Sequence, residues 1–137
     1  MDGNHRWSEK NRIDPFESYI KGSKKLIEIS NYIFDNFDTQ YITAFALSKN
    51  NLKRTSKKIK ILKLVIRYFL DDLDTLSKLK FKISVKGDVS FLEKRLINKI
   101  DDLNSRNSNY KKNLIILLNY SGQDDILNSI TKISKLK

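Results

Sequence analysis

The sequence predicts a single α/β domain, a mostly parallel sheet flanked by helices, and three observations carry that expectation. Segments of helical and strand periodicity alternate along the chain in the order helix, strand, helix, strand, helix, strand, helix. Leu114–Leu118 is an unbroken apolar run, the pattern of a strand buried on both faces. The 137 residues contain one Pro and four Gly, which gives length for one core and no Ser/Gly/Pro-rich linker to divide it.

The first helix is expected over residues 14–36. Asp14 suits the N-cap, Pro15 the first helical position, and Glu17 completes an Asp-x-x-Glu capping box. Phe16, Ile20, Leu26, Ile27, Ile33 and Phe34 then recur at mostly three- and four-residue steps. A strand follows at Tyr41–Leu47, and the polar stretch Ser48–Ser56 reads as a loop. Residues 57–79 form the longest helical pattern, with Ile61, Leu62, Val65, Phe69, Leu73 and Leu76 on one side. Phe81–Val85 alternates as a strand does, Gly87 and Asp88 turn the chain, and Ser90-x-x-Glu93 offers a second capping box for a helix reaching Asn104. After Leu114–Leu118, a last helix runs over Gln123–Ser134. The opening Met1–Trp7 reads as a loop with no strand before it.

Composition removes several classes of chemistry. With no cysteine, thiolate zinc sites, iron–sulfur clusters, CxxC redox pairs and a cysteine nucleophile are excluded, and His5 as the only histidine excludes a His-rich metal cage. The formal net charge of +11 favours an anionic partner: nucleic acid, an anionic membrane surface or a phosphorylated substrate. No nucleic-acid role is expected, because interleaved aromatics and a recognition-helix pattern are lacking. No stretch approaches the roughly 18–20 apolar residues of a membrane span, and the start is polar from its second residue, so a cytoplasmic protein is expected.

In parallel sheets, sites form where loops leave the carboxyl ends of strands. Three segments there carry functional groups: the opening, Ser48–Arg54 and Asn119–Gln123. Asp2 is a hard oxygen ligand suited to Mg²⁺, and the planar fork of Arg6 suits a phosphate. A plain surface turn, with Trp7 anchoring a helix, fits the same tripeptide Asp2-Gly3-Asn4. Ser48, Asn50, Asn51, Lys53 and Arg54 suit an anionic ligand or a solvated basic loop. The run Lys53, Arg54, Lys57, Lys58, Lys60, Lys63 and Arg67 reads as a solvent face or a membrane-surface contact. The pairs Asp71/Asp72, Asp101/Asp102 and Asp124/Asp125 fit solvated helix faces or helix starts, and His5 has no acid–base role.

These pieces align with one family. Met1-Asp2-Gly3-Asn4-His5-Arg6-Trp7 resembles the MDGN-x-RW opening of the cis-prenyltransferases, the undecaprenyl diphosphate synthase family. In order, Gly22 falls on the last Gly of the GHxxG segment. Tyr41–Arg54 resembles YLTLYAFSxENWxR, keeping Ser48, Asn51 and Arg54. Phe81–Ser90 resembles the strand and GD turn, and Leu114–Gly122 the segment ending NYGG. The resemblance implies a parallel sheet beside an apolar tunnel, for which Val65, Phe69, Leu73 and Ile115–Leu118 are candidate lining.

It also implies a Mg²⁺-dependent transferase that condenses isopentenyl diphosphate with an allylic diphosphate such as farnesyl diphosphate, for cell-wall lipid carrier synthesis. By that resemblance Asp2 positions Mg²⁺, while Gly3, Asn4 and the His5 backbone cradle diphosphate and Arg6 balances its charge. Trp7 walls the isoprenoid site, Ser48 and Asn51 sit by the condensing carbons, and Asn51 handles the proton. Arg54 supports that loop or binds phosphate. A homodimer, with peripheral membrane contact through its product, is implied as well. The chain departs from the pattern at Ser18-Tyr19 in place of Gly-His, at Pro15, where an Arg aligns, and at Asn50, Leu52 and Ser121-Gly122-Gln123. Members carry a strand before the opening motif and a further diphosphate- and metal-binding segment, so both are expected to be lacking here. A non-catalytic or partner-dependent subunit or remnant of the same fold is the alternative, and a small basic nucleic-acid-binding protein, resting on charge alone, is the second.

Overall fold

Parallel strands need long crossovers, and a helix between each successive pair supplies them. The computed structural model describes residues 3–49, 56–72, 78–106 and 109–135. Among these lie five helices, α1 (Asn4–Asn11), α2 (Pro15–Asn36), α3 (Ser56–Asp71), α4 (Lys94–Ser105) and α5 (Gly122–Ser134). The strands are β1 (Tyr41–Phe45), β2 (Lys82–Lys86) and β3 (Asn113–Leu117), parallel and in the order β1-β3-β2. The most apolar strand is therefore central. Its register pairs Leu114 with Ile42 and Ile83, and Ile116 with Ala44 and Val85, so all six side chains share one face. Phe34 of α2, Ile66 and Leu70 of α3, and Leu96, Ile100 and Leu103 of α4 close the core against that face.

Several expectations need correction. From Asn4 the opening is a helix rather than a loop: Gly3 takes φ 89°, which glycine tolerates, and the Trp7 N–H donates to the Gly3 carbonyl at 2.8 Å to close the first turn. Gly3 and Asn4, which also suit a surface turn, thus start a helix. The described part of the long central helix ends at Asp71; Lys78 lies in a turn, and residues 73–77, with Leu73 and Leu76, fall outside the described residues. Ser90 forms no capping box, because its N–H is engaged by the Asp88 carboxylate at 2.9 Å and the helix starts with Glu93 at its cap. At α2 the Asp14 N-cap is as expected, accepting from the Phe16 and Glu17 N–H groups, but the Glu17 carboxylate pairs with Lys21 at 2.8 Å instead of completing the box. Finally, β3 is not buried on both faces. Leu114 and Ile116 are buried, whereas Ile115 and Leu117 are half-buried, because α5 beside that face buries no residue and leaves Ile126, Leu127, Ile130 and Ile133 exposed.

Two side chains close the sheet and helix layers in ways periodicity does not report. Asn104 on α4 accepts from the Val85 N–H at 2.8 Å and donates to the Val85 carbonyl at 3.0 Å, so one amide satisfies both backbone groups on the outer edge of β2. Asp71, at the end of α3, gathers Lys99 and Arg95 of α4 together with Arg67. The Lys99 hydrogen bond and the surrounding positive charge hold its carboxyl below the ordinary 3.8. A depressed carboxyl stabilises the fold above its unfolded pKa, and that contribution disappears as pH falls through the folded value. Asp71→Asn is therefore expected to lower stability at pH 7, with a deficit in urea melts that shrinks as the pH is taken below 3.8. A deficit that stays the same size would refute the electrostatic origin.

Candidate active site

At the carboxyl ends of β1 and β3, the start of α1 meets an apolar cavity of about 90 Å³. Ala46 and Leu118 form its sheet-end wall, Val65, Ile66 and Phe69 of α3 one flank, and Tyr19, Ser23 and Leu26 of α2 the other. Asn4, the first residue of α1, is the polar group at this cavity from the opening motif. Val65, Phe69, Ile116 and Leu118 thus line it as expected; Ile115 and Leu117 face the opposite side of the sheet, because side chains alternate along a strand.

The opening motif is compact. Gly3 caps α1 without a side-chain hydrogen bond, and a Cβ there would lie 3.9 Å from the Arg6 guanidinium, which folds back over the helix start. The end of α1 that carries the positive partial charge of a helix is thus also the end carrying Arg6. His5 pairs with Glu9 at 3.5 Å, and Lys21 stands 5.8 Å from the centre of the half-exposed Trp7 ring. Ser8 is buried and its hydroxyl donates to the His5 carbonyl at 2.6 Å. Ser48 forms a parallel bridge with Tyr120, joining the second expected loop to the third. Asp2, Asn51 and Arg54, with Asn50 and Leu52, fall outside the described residues.

The other side of the sheet carries a wider crevice of about 890 Å³, between the strand ends and α5. Lys49 pairs there with Asp124 at 2.6 Å, and the Tyr120 hydroxyl donates to Asp125 at 2.9 Å, which raises the tyrosine pKa above 10.0. Asn119 sits at φ 47° and donates its amide N–H to the Asp88 carbonyl at 3.0 Å. The hydroxyl and N–H of Ser90 hold the Asp88 carboxyl below 3.8.

The donors at the start of α1 are amide, guanidinium and helix N–H groups, which suit an anion rather than a metal. No cluster of three or more Asp, Glu or His that could hold a metal occurs among the described residues, and the expected metal carboxylate, Asp2, is not one of them. No described helix is long and apolar enough to cross a membrane. Sequence reasoning missed Ser23 and the part Ser18 plays beneath α1. The available signal was small residues at 18 and 22, one helical turn apart on the same face of α2.

The start of α1, with its amide, guanidinium and helix N–H donors, thus lies beside an apolar cavity at the carboxyl ends of a parallel sheet, the usual place of a site in an α/β domain. The family model for undecaprenyl diphosphate synthase, Prenyltransf, matches residues 1–137, and the chain belongs to that family. It is 32% identical to an isoprenyl transferase of Rickettsia felis, over 97% of this chain and 57% of that protein. It is 29% identical to dehydrodolichyl diphosphate synthase 4 of Arabidopsis thaliana, over 98% of this chain and 47% of that protein. Its fold is similar to the crystal structure of lavandulyl diphosphate synthase from Lavandula x intermedia in complex with dimethylallyl diphosphate. The TM-score is 0.81 and the identity 24%, over 98% of this chain and 58% of that one. The chain spans about half the length of the curated relatives it matches.

Proposed function

We propose that these 137 residues form the allylic-diphosphate half of a cis-prenyl diphosphate synthase. The observation that carries this reading is Asn4 standing where a helix start meets an apolar cavity: a charged head and a hydrocarbon tail have adjacent places. The proposed reaction joins an allylic diphosphate, such as farnesyl diphosphate, to isopentenyl diphosphate. The allylic C–O bond breaks, its electron pair leaves with diphosphate, a new C–C bond forms, and a proton is lost from the incoming unit. Gly3, Asn4, the His5 backbone and Arg6 hold the departing diphosphate, where charge develops. Ser48 and Asn51 serve the condensing carbons, with Asn51 at the proton-handling step, and Arg54 supports that loop or binds phosphate. Mg²⁺, held by Asp2, supplies neutralising charge when bound.

Asp2→Ala is expected to abolish Mg²⁺-dependent affinity for dimethylallyl diphosphate and incorporation of labelled isopentenyl diphosphate, without changing the far-ultraviolet circular dichroism spectrum. Retained magnesium dependence in that variant would remove Asp2 from the role. Failure of the parent chain to bind any allylic diphosphate would sink the reading itself.

A further inference from the structure

The start of α1 is held in place by α2 rather than by its own cap. An eight-residue helix is marginal alone, and Gly3 contributes no side-chain hydrogen bond to it. Two residues of α2, one turn apart, grip its first residue. Ser18 is only 1% exposed, and its hydroxyl donates to the Asn4 carbonyl at 2.7 Å. A hydroxyl that deeply buried is costly without a partner. Gly22 leaves the space that the Asn4 side chain occupies: a Cβ there would lie 2.8 Å from Asn4 Oδ1, 3.0 Å from Nδ2 and 3.2 Å from Cγ. Apart from proline, glycine is the least favourable residue in a helix interior. Gly22 lies well inside α2, and what occupies the missing Cβ's place is the Asn4 amide.

We infer that Ser18 and Gly22 are positioning residues: Ser18 fixes the backbone of Asn4, and Gly22 fixes the direction of its side-chain amide toward the head of the bound ligand. The inference deepens the reading above and rests on it for the ligand, a diphosphate. The neighbouring Tyr19 points the same face of α2 at the cavity, so seat and cavity wall belong to one helical turn. The amide is the far end of a flexible side chain, so an added methyl at residue 22 displaces it rather than unfolding the helix. The two consequences have opposite signs. Gly22→Ala improves α2 as a helix and spoils the site.

The test uses the whole 137-residue chain and inorganic pyrophosphate with Mg²⁺ in titration calorimetry. Gly22→Ala is expected to weaken binding at least tenfold with a thermal midpoint equal to or above that of the parent. In an Asn4→Ala background, the same substitution should change binding less than twofold, because the group it displaces is gone. An unchanged affinity in Gly22→Ala, or an equal tenfold loss in both backgrounds, overturns the inference. Should Gly22→Ala alone fail to fold, the Asn4→Ala double variant, which removes the crowding, and Ser18→Ala carry the same comparison. The Asn4 side-chain amide resonances provide an arm that needs no ligand. They should shift in Gly22→Ala, and resonances that stay in place overturn the seat whatever binds. A parent chain that ignores pyrophosphate while those resonances shift would refute the diphosphate reading and leave the seat standing.

Discussion

Gly87→Ala is expected to destabilise the chain by at least about 2 kcal/mol, the scale of a residue forced into a backbone region it disfavours plus a steric conflict. Gly87 sits at φ 117°, where β2 ends and the chain passes the end of β3. A Cβ there would fall 1.9 Å from the Leu118 carbonyl oxygen. That neighbour is backbone, anchored by the Leu118 N–H donating to the Lys86 carbonyl at 2.9 Å, so it cannot swing aside as a side chain would. The conflict must open either the turn or the β2–β3 pairing. A fall in thermal midpoint of roughly 5–10 °C is expected for a domain of this size. An unchanged midpoint would show that the strand ends relax at little cost. The Asn119 bond to the Asp88 carbonyl lies in the same turn, so the crevice at the strand ends should loosen with it.

Ala46→Leu is expected to separate the head and tail of the ligand. Ala46 lies just past the end of β1, in the wall of the apolar cavity. Each buried methylene contributes about 0.8 kcal/mol, so a side chain that excludes two or three carbons of an isoprenoid tail should weaken dimethylallyl diphosphate binding about tenfold to fiftyfold. Inorganic pyrophosphate, having no tail, should bind the variant and the parent alike. Equal losses for both ligands would mean that the larger residue disturbs the α1 end. No loss for either would place the tail elsewhere, with the crevice beside α5 as the next place to probe.

Much of this fold is legible in the sequence because it is written in local terms. The α2 start follows from an Asp cap before Pro15 and needs no tertiary partner. The three strands announce themselves by apolar runs between turn residues, and the apolar flank of α3 by its helical spacing. The opening motif was equally legible as chemistry, since a guanidinium and an amide beside glycine suit an anion whatever the backbone does. Its conformation was not. Asp-Gly-Asn is compatible with a turn and with a helix start, and the choice falls to Ser18 and Gly22, fourteen and eighteen residues beyond Asn4.

Charge patterns misled for a related reason. Asp71/Asp72 reads as a solvated helix face, yet Asp71 binds α3 to α4, because Lys99 and Arg95 arrive from 24 and more residues away. Ser90-x-x-Glu93 has the spacing of a capping box, but Asp88 competes for the Ser90 N–H over a shorter loop and wins it. The amide of Asn104 looks like an ordinary polar residue near a helix end until α4 is laid along β2, where it completes the edge of a strand.

The sequence by itself determined the order of elements from α2 onward, the parallel α/β class, the absence of cysteine chemistry and the anion-suited opening. These follow from residue type and short-range spacing, where one side chain or one turn is enough to bias the outcome. The tertiary structure alone decided that β3 is central, that Asn4 stands at the mouth of the cavity, and that one face of β3 is left half-covered. Those properties depend on contacts between residues far apart in the chain. Such contacts exist only once burial of apolar surface has brought the layers together.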